Sequence, residues 1–533
     1  MSKGENEDVE DDWLSFDEQE ETGPVKPDSP LYEPADVLDD DEVEDAEQAE
    51  QPTYQYGMDE SRANGSIDDL ILASEYRFAP AMGSIAQRVC VDTSEKEAVE
   101  AGGHKLTWWE QDSILPQYPY LLLNPVAHDA IEDETQWADA FRFEKGEQLV
   151  ICDSGGYQLI SQEDAGVVDS REEHDLSRKR IYPRALVDWQ VRNADVGPIL
   201  DHPPNVMTGS KIPSNKAIEY DKWCNEIFQP RLANTVEYSV QMSERLQELR
   251  DQGYPGADDF KQLLVIHGRP AKQEGWAQWD HLYEWHHTIE DEMIGPDAYA
   301  LKPQPSNSLG QMAFQLAYAA IELEGETDYI HVLQCGGQTQ RILLDYFASI
   351  TDFFVTSDAS THIQGTVWRE FDVPGSWSSE TIRVSDRDDS FIDRLPCRCI
   401  VCKRASERWD AEDVTVDNTA EDGQWINMHN LHQALTLSKT ISALLRKYGI
   451  DVVDEVEIKR DKVKPLDDNE FWSLLRRKRG YNQISQLHTG MQVVRDAVQG
   501  GEDALSEWRF EWSSQDHNNE PAIEKEADAL RDW

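Results

Sequence analysis

The sequence has no long apolar run and little positive charge. No stretch of 18 apolar residues occurs, and the N-terminus is acidic rather than basic and then apolar, so we expect neither a membrane span nor a signal peptide. Only 49 Lys and Arg stand against 105 Asp and Glu, a formal net charge of −56. This balance excludes a generally basic surface for binding nucleic acid. The sequence predicts a cytoplasmic protein without a membrane partner.

The acidic residues are spread along the whole chain. Residues 1–60 hold 23 acids and two lysines, which leaves 82 acids against 47 bases elsewhere. A folded surface this acidic is typical of proteins adapted to high salt, where repulsion between charges is screened within a few ångström. The alternative is an ordinary protein with a large acidic surface for a partner. Residues 1–68 lack periodic apolar positions and predict a disordered acidic tail.

Cysteine is also scarce, and it is clustered. Three of the seven cysteines, Cys397, Cys399 and Cys402, fall within six residues. This spacing favours metal ligation in a reducing compartment over a framework of disulfides.

Short apolar runs recur along the chain, and most end in polar residues. They are LVICD (149–153), VGPILDHPP (196–204), QLLVIHG (262–268), DAYALKP (297–303), YIHVLQCGG (329–337) and DFFVTSD (352–358). Consecutive apolar positions are typical of parallel strands buried on both faces, and the segments between them have helical spacing. The pattern predicts a (β/α)8 TIM barrel over residues 69–445, with its chemistry at the carboxyl ends of the strands. Residues 446–533 are predicted to form a small helical extension.

Three acids stand at predicted strand ends, namely Asp153, Asp201 and Asp358. One such acid could cap the next helix, whereas three at the mouth of one barrel indicate a site. In VICDSGGYQ, the glycine pair after Asp153 lets backbone amides approach a flat ligand, and Tyr157 adds an aromatic face. This stretch predicts a pocket for a planar heterocycle; the alternative is a tight turn capped by the aspartate.

Two motifs carry a family resemblance. The DSGGYQ sequence, and the CxCxxC cluster followed by His429 in MHNLH, resemble the signature and the zinc site of the tRNA-guanine transglycosylases. The resemblance covers roughly residues 75–440 and implies the same barrel fold. It also implies a subdomain at about 394–432 whose ligands to Zn2+ are Cys397, Cys399, Cys402 and His429. Four such ligands fill a tetrahedron, so the zinc would be structural.

Two alternatives for the cysteine cluster stay open. His432 follows His429 on the next helical turn and competes with it as the fourth ligand. An independent zinc ribbon that binds nucleic acid is the other interpretation.

The resemblance also implies roles for the strand-end residues. Asp153 would act as the general acid and base, and Asp201 would accept hydrogen bonds from the ring and exocyclic nitrogens of a guanine-like edge. The other predicted base-binding residues are Ser154, Gly155, Gly156, Tyr157 and His267. His267 replaces a glutamine of the family, and its alternative is a packed core histidine. Ala298 and Tyr299 stand where the family has a backbone contact to the base, and Lys302 departs from its pattern.

The family nucleophile is an aspartate that follows an HxxGxG strand and attacks C1′ of the nucleotide. Here HVLQCGG (331–337) matches that strand, and both Asp352 and Asp358 are candidates. Asp352 opens the next predicted strand and Asp358 ends it. We predict Asp358, because the site of a barrel lies at the carboxyl ends of its strands.

The resemblance implies an enzyme that exchanges guanine in nucleic acid for a 7-deazaguanine base such as 7-cyano-7-deazaguanine. The short C-terminus and the SDAST sequence are most similar to the DNA-guanine transglycosylases (DpdA) of phages and bacterial islands, whose modification shields DNA from restriction. DNA is therefore the predicted partner, and a virus or mobile element in the cytoplasm of a halophilic host fits the acidity.

Other functions stay open. One is an archaeal-type tRNA enzyme that acts on a D-loop guanine, and another is a catalytically silent barrel that serves as a binding subunit. A homodimer or a helper subunit is not decided by the sequence. The basic run Arg476–Arg479 is either a phosphate contact or a solvated helix end.

Overall fold

The computed structural model describes the chain in separate stretches, all within one compact unit, Gln55–Trp533. The longer stretches are 76–81, 118–124, 148–156, 183–204, 224–267, 275–303, 309–359, 419–459, 462–466 and 469–506. The shorter ones are 100–101, 104–105, 108, 115, 370–372, 381–383, 399, 401, 508–511 and 522–525. The predicted tail, residues 1–68, lies outside the described residues, and so does most of the predicted zinc subdomain.

Eight parallel strands form the centre of the fold. They are β1 (Tyr76–Pro80), β2 (Tyr120–Leu123), β3 (Leu149–Cys152), β4 (Val196–Pro198), β5 (Lys261–His267), β6 (Ala298–Lys302), β7 (Tyr329–Val332) and β8 (Phe354–Ala359). From β2 to β8 each strand pairs with the next in the chain, and β8 also pairs with β1. A parallel bridge between Ala81 and Leu122 brings β1 beside β2 and nearly closes the ring. The coarse prediction of a TIM-like α/β barrel is confirmed.

Helices connect the strands from β3 onward. They are α1 (Pro183–Asn193), α2 (Gln229–Asp251), α3 (Gly275–Glu292), α4 (Leu309–Glu322) and α5 (Gln338–Ile350), and α6 (Thr419–Tyr448) follows β8. Each of α1 to α5 stands in the chain between two neighbouring parallel strands, so these connections return the chain from the carboxyl end of one strand to the amino end of the next. Among the helices that the structure describes, none has the length and apolar character to cross a membrane.

The C-terminal part adds helices and small hairpins. After a 3-10 helix at Gly449–Asp454 come the hairpin Val456–Lys459 with Lys462–Pro465, helix α7 (Glu470–Lys478), helix α8 (Tyr481–Leu505), and the strand pair Trp508–Glu511 with Ala522–Lys525. Two further antiparallel pairs are Glu100–Ala101 with His104–Lys105, and Glu370–Asp372 with Thr381–Arg383. The predicted helical character of this region agrees with α7 and α8.

Helix α8 packs on the outer side of the barrel, against α4 and α5. A Cβ atom at Gly490 would lie 3.3 Å from Leu343 on α5 and 3.5 Å from Ala313 on α4. Helix α4 is buried from Leu309 to Ala320, on all of its faces, because the barrel covers one side and α8 the other. The extension is therefore built into the compact unit, and its predicted start at residue 446 falls inside α6.

Candidate active site

The three predicted carboxylates come together at the carboxyl ends of the strands. Asp153 directly follows β3, Asp201 follows β4 by three residues, and Asp358 is the next-to-last residue of β8. The negative charges of Asp358 and Asp201 both act on Asp153. The barrel thus places at one mouth three acids that are far apart in the sequence.

Asp153 is held in a surrounding that favours its protonated form. Its Oδ2 accepts a hydrogen bond of 2.7 Å from Nδ2 of Asn124, which follows β2, and its Oδ1 accepts one of 3.3 Å from the backbone amide of Gly155. Gly155 has φ 84°, a conformation that glycine adopts without strain. Burial and the charge of Asp358 raise the pKa of Asp153 to about 6. A carboxyl group with this pKa can both give and take a proton near neutral pH.

Asp201 is held in the opposite state. Ser154 Oγ donates to its Oδ1 at 2.8 Å, and His267 Nε2 lies 2.6 Å from its Oδ2. Burial lowers the pKa of His267, so a neutral imidazole donates this bond. Burial alone would raise the pKa of Asp201, but the bonds from His267 and Ser154 outweigh it and keep the pKa below its usual value. Asp201 is therefore ionised, and its carboxylate oxygens can accept further hydrogen bonds from a ligand.

His267 is part of the site. Its ring is fully buried at the end of β5 and meets the edge of Trp285 on α3 at 5.1 Å between centroids. Among the described residues, no group hydrogen-bonds to its Nδ1. The hydrogen bond from His267 orients the Asp201 carboxylate and stabilises its ionised form.

The surroundings of Gly156 explain why the second position of the glycine pair in DSGG is a glycine. A Cβ atom there would lie 2.5 Å from Asp201 Oδ1 and 2.8 Å from the Asp201 backbone oxygen. Such distances are shorter than any van der Waals contact, so no side chain fits between the turn after β3 and the segment after β4. Tyr157, the next predicted residue, lies outside the described residues.

Asp358 is fixed from two sides. Its Oδ1 accepts a hydrogen bond of 2.8 Å from the backbone amide of Gln334 and lies 3.2 Å from His331 Nε2. The other ring nitrogen of His331 bonds Thr356 Oγ1 at 2.7 Å, and Thr356 Oγ1 in turn bonds the Tyr329 hydroxyl at 2.7 Å. This column of polar side chains inside the barrel orients one carboxylate oxygen and leaves Oδ2 for chemistry.

The competing aspartate lies elsewhere. Asp352 is exposed and precedes β8, at the opposite end of the barrel from Asp153 and Asp201. Only Asp358, of the two candidates, belongs to the group of carboxylates at the mouth.

One buried cation stands among the three acids. Lys302 ends β6, is 7% exposed, and donates from Nζ to Oε1 of Gln334. Burial lowers the pKa of Lys302, while the charges of Asp358, Asp153 and Asp201 act in the other direction. Gln334 has φ 57°, the one non-glycine residue of the described chain with a left-handed backbone. Lys302 thus holds the residue whose amide binds Asp358.

Some of these contacts were not predicted from the sequence, and one predicted contact does not lie at the site. No role was predicted for Asn124 or Gln334. The backbone contact expected at Ala298 and Tyr299 is wrong, because these residues open β6 at the far end of the strand, and the Tyr299 hydroxyl donates at 2.6 Å to Glu290 on α3. The residue of this segment that reaches the mouth is Lys302.

Two of the four predicted zinc ligands are described, and they lie together. Cys399 Sγ is 3.4 Å from His429 Nδ1, and His429 is fully buried on α6. In a tetrahedral site with Zn–S of about 2.3 Å and Zn–N of about 2.1 Å, sulfur and nitrogen lie about 3.6 Å apart. The pair therefore fits a zinc ion. Cys397 and Cys402 lie outside the described residues, and within the described ones no group of three ligands is arranged to hold a metal.

No protein-family model matches the chain, and no curated protein is significantly similar to it.

We expect Gly156→Ala to damage the site without unfolding the barrel. Its methyl group collides with the backbone of Asp201, which cannot rotate away, so the free energy of unfolding should fall by roughly 1–3 kcal/mol. Urea unfolding measures this change. Gly480→Ala, at a position with open space around it, is the control. Equal stability of the two variants would show that the turn and Asp201 are not in contact.

We expect the Asp153 carboxyl group to make stability pH-dependent between about pH 4 and 6. Its pKa in the folded protein, about 6, lies above the ordinary 3.8, so its protonated form favours folding at low pH and this contribution is lost as pH rises through 6. Asp153→Asn should therefore gain roughly 1–3 kcal/mol relative to wild type between pH 4 and 7 in urea unfolding. The exposed Asp352→Asn should follow wild type, and parallel curves for all three proteins would contradict the assignment.

We expect one zinc ion per chain. Elemental analysis of purified Cys399→Ser and His429→Ala should show the metal lost, because three ligands hold zinc far more weakly than four. His432→Ala, one helical turn further on, should keep it. A folded wild-type protein without zinc would refute the site.

Proposed function

We propose that this protein exchanges guanine in nucleic acid for a 7-deazaguanine base through a covalent glycosyl-enzyme. The observation that supports the proposal is that the three carboxylates at the barrel mouth are held in different chemical states. Asp153 has a proton to give near neutral pH, Asp201 is ionised, and Asp358 presents one free oxygen. Base exchange needs these three properties, namely a proton donor for the leaving base, an acceptor for its edge and a nucleophile for C1′.

In the first half of the reaction, guanine would bind with its N1–H and exocyclic amine donated to the open lone pairs of Asp201. Asp358 Oδ2 attacks C1′ and the bond from C1′ to the base nitrogen breaks, with its electron pair staying on the base. Asp153 gives its proton to the departing base. The product is an ester between Asp358 and the sugar, as in retaining glycosidases.

In the second half, the 7-deazaguanine takes the place of guanine on Asp201. The Asp153 carboxylate removes the proton from its ring nitrogen, and this nitrogen attacks C1′. The ester bond breaks and its electron pair returns to Asp358, so the enzyme regains its starting state. The reaction needs no redox partner, and the target nucleotide must leave its stack to reach the barrel mouth.

The finer assignments follow the sequence motifs. DNA is the favoured substrate and tRNA the alternative. A contact to the 2′-hydroxyl would distinguish RNA from DNA, but no sequence motif identifies the residues that make such a contact. The zinc site would support the fold beside the barrel, and no reaction step passes through it.

We expect labelled 7-cyano-7-deazaguanine to enter nucleic acid in molar salt, with duplex DNA and tRNA offered in parallel. Asp153→Asn and Asp358→Asn should each lose more than about 99% of turnover, because they remove the acid and the nucleophile. Asp358→Asn should also lose the covalent adduct with the nucleic acid on a denaturing gel.

Asp352→Asn is the matched control, since it makes the same change at the exposed end of the same strand. Loss of turnover in Asp352→Asn with normal activity in Asp358→Asn would move the nucleophile to residue 352. If wild type incorporates label into neither nucleic acid, the exchange proposal fails and a silent binding barrel becomes the better interpretation.

A further inference from the structure

One segment of this acidic chain is basic. Between Lys439 and Arg479 eleven bases stand against eight acids, whereas the whole chain has 49 against 105. The bases are most concentrated at the end of α7, where residues 476–479 are Arg, Arg, Lys and Arg. We call Arg476, Arg477 and Arg479 the arginine run. The exchange mechanism at the carboxylates does not use it.

Two members of the arginine run have no acidic partner in the part of the chain that the structure describes. Arg476 and Arg477 are exposed, and neither forms an ion pair or a hydrogen bond with any residue that the structure describes. Some exposed bases elsewhere pair with acids, such as Lys447 with Glu470 at 2.8 Å and Arg184 with Glu248 at 2.6 Å. In a chain with twice as many acids as bases, free arginines side by side indicate a partner that is itself negative.

The helix that carries the arginine run is firmly anchored. The Asn469 side chain caps α7 by accepting from the Trp472 amide at 3.0 Å. The buried Trp472 indole donates to the Val452 carbonyl at 2.6 Å, and Tyr448 OH accepts from the amide of Glu470 at 3.0 Å. The positions of the arginines are therefore set by the core, which lowers the entropy cost of binding a ligand there.

The arginine run lies on the same side of the barrel as the carboxylates. Arg479 donates from Nη2 to Oε1 of Gln338, the first residue of α5. Four residues earlier in this loop, the Gln334 amide binds Asp358. Four residues of extended chain span at most about 14 Å, and a nucleic-acid strand advances about 3.4 Å per nucleotide. The Cα atoms of Gln334 and Gln338 are thus at most about four nucleotide steps apart, and one loop connects the Asp358 contact with the end of α7.

We propose that the arginine run binds the phosphodiester backbone of the nucleic-acid substrate beside the nucleotide whose base enters the barrel. This inference rests on the proposed base exchange for the identity of the partner. Arginine suits the role because its planar guanidinium can bind a phosphate through two parallel hydrogen bonds. At molar salt the screening length is about 3 Å, so distant acids repel the strand weakly while a direct contact persists. Few phosphate contacts then suffice to fix the register of the strand.

The competing explanation is purely structural. Cations in the last turn of a helix stabilise it through the helix dipole, and both arginines occupy that turn of α7. That role predicts a change in stability without any change in the affinity for phosphate. An acidic peptide is a second occupant that would use the same charges.

The test measures the affinity of the full-length chain for fluorescent duplex DNA and for tRNA from 0.3 to 2 M KCl. Arg476→Gln/Arg477→Gln should lower the slope of log K against log salt by about two, because each lost phosphate contact removes about 0.9. In the exchange assay the KM for nucleic acid should rise more than kcat falls. The arm that binds more tightly identifies the polynucleotide.

The control is Lys459→Gln/Lys462→Gln, which removes the same charge from the hairpin that follows the 3-10 helix. An equal fall in slope for both double variants, or no fall for either, overturns the inference. So does tighter binding of a polyglutamate peptide than of nucleic acid. A fall confined to the arginine variant supports the inference even if no base exchange is found, and in that case the proposed function fails by itself.

Discussion

The mouth of this barrel depends on the burial of three carboxylates around one ammonium group. A buried acid without a partner would take up a proton, and three together would repel one another by several kcal/mol in a medium of low dielectric. Lys302 supplies a positive charge among them, and the hydrogen-bond donors differ from one acid to the next. Asp201 is kept ionised by His267 and Ser154, whereas Asp153 has weaker donors and keeps its proton up to a pH of about 6.

The nearly closed ring of parallel strands makes this arrangement possible. Because each strand runs in the same direction as its neighbours, every strand end lies on one rim, and residues as far apart as 153 and 358 become neighbours. The sequence predicts this much, since runs such as QLLVIH and FFVTSD are apolar over consecutive positions and end in polar residues. Asp153, Asp201 and Asp358 follow directly from the ends of those runs.

The partners of the acids could not be predicted in the same way. Asn124 and Asp153 are 29 residues apart, and Lys302 and Gln334 are 32 apart, so their contacts depend on how neighbouring strands align. A shift of one position in register would turn each side chain to the other face of the sheet. The wrong prediction for Tyr299 has the same cause, because this residue was expected at the mouth and lies at the opposite end of β6. The packing of α8 on α4 could be predicted in part, because LGQMAFQLAYAA is apolar around the whole helix and such a helix is covered on both sides.

The backbone of Gln334 has a consequence for how the site can change. An ordinary residue at φ 57° carries strain on the order of 1 kcal/mol, which here is offset by the bond from Lys302. The amide that orients Asp358 is therefore kept in place by a side chain from another strand. Loss of that lysine would let the loop relax and would weaken one of the two contacts to Asp358 Oδ1, while His331 keeps the other. A single change on β6 thus reaches the Asp358 carboxylate on β8 through the loop that follows β7.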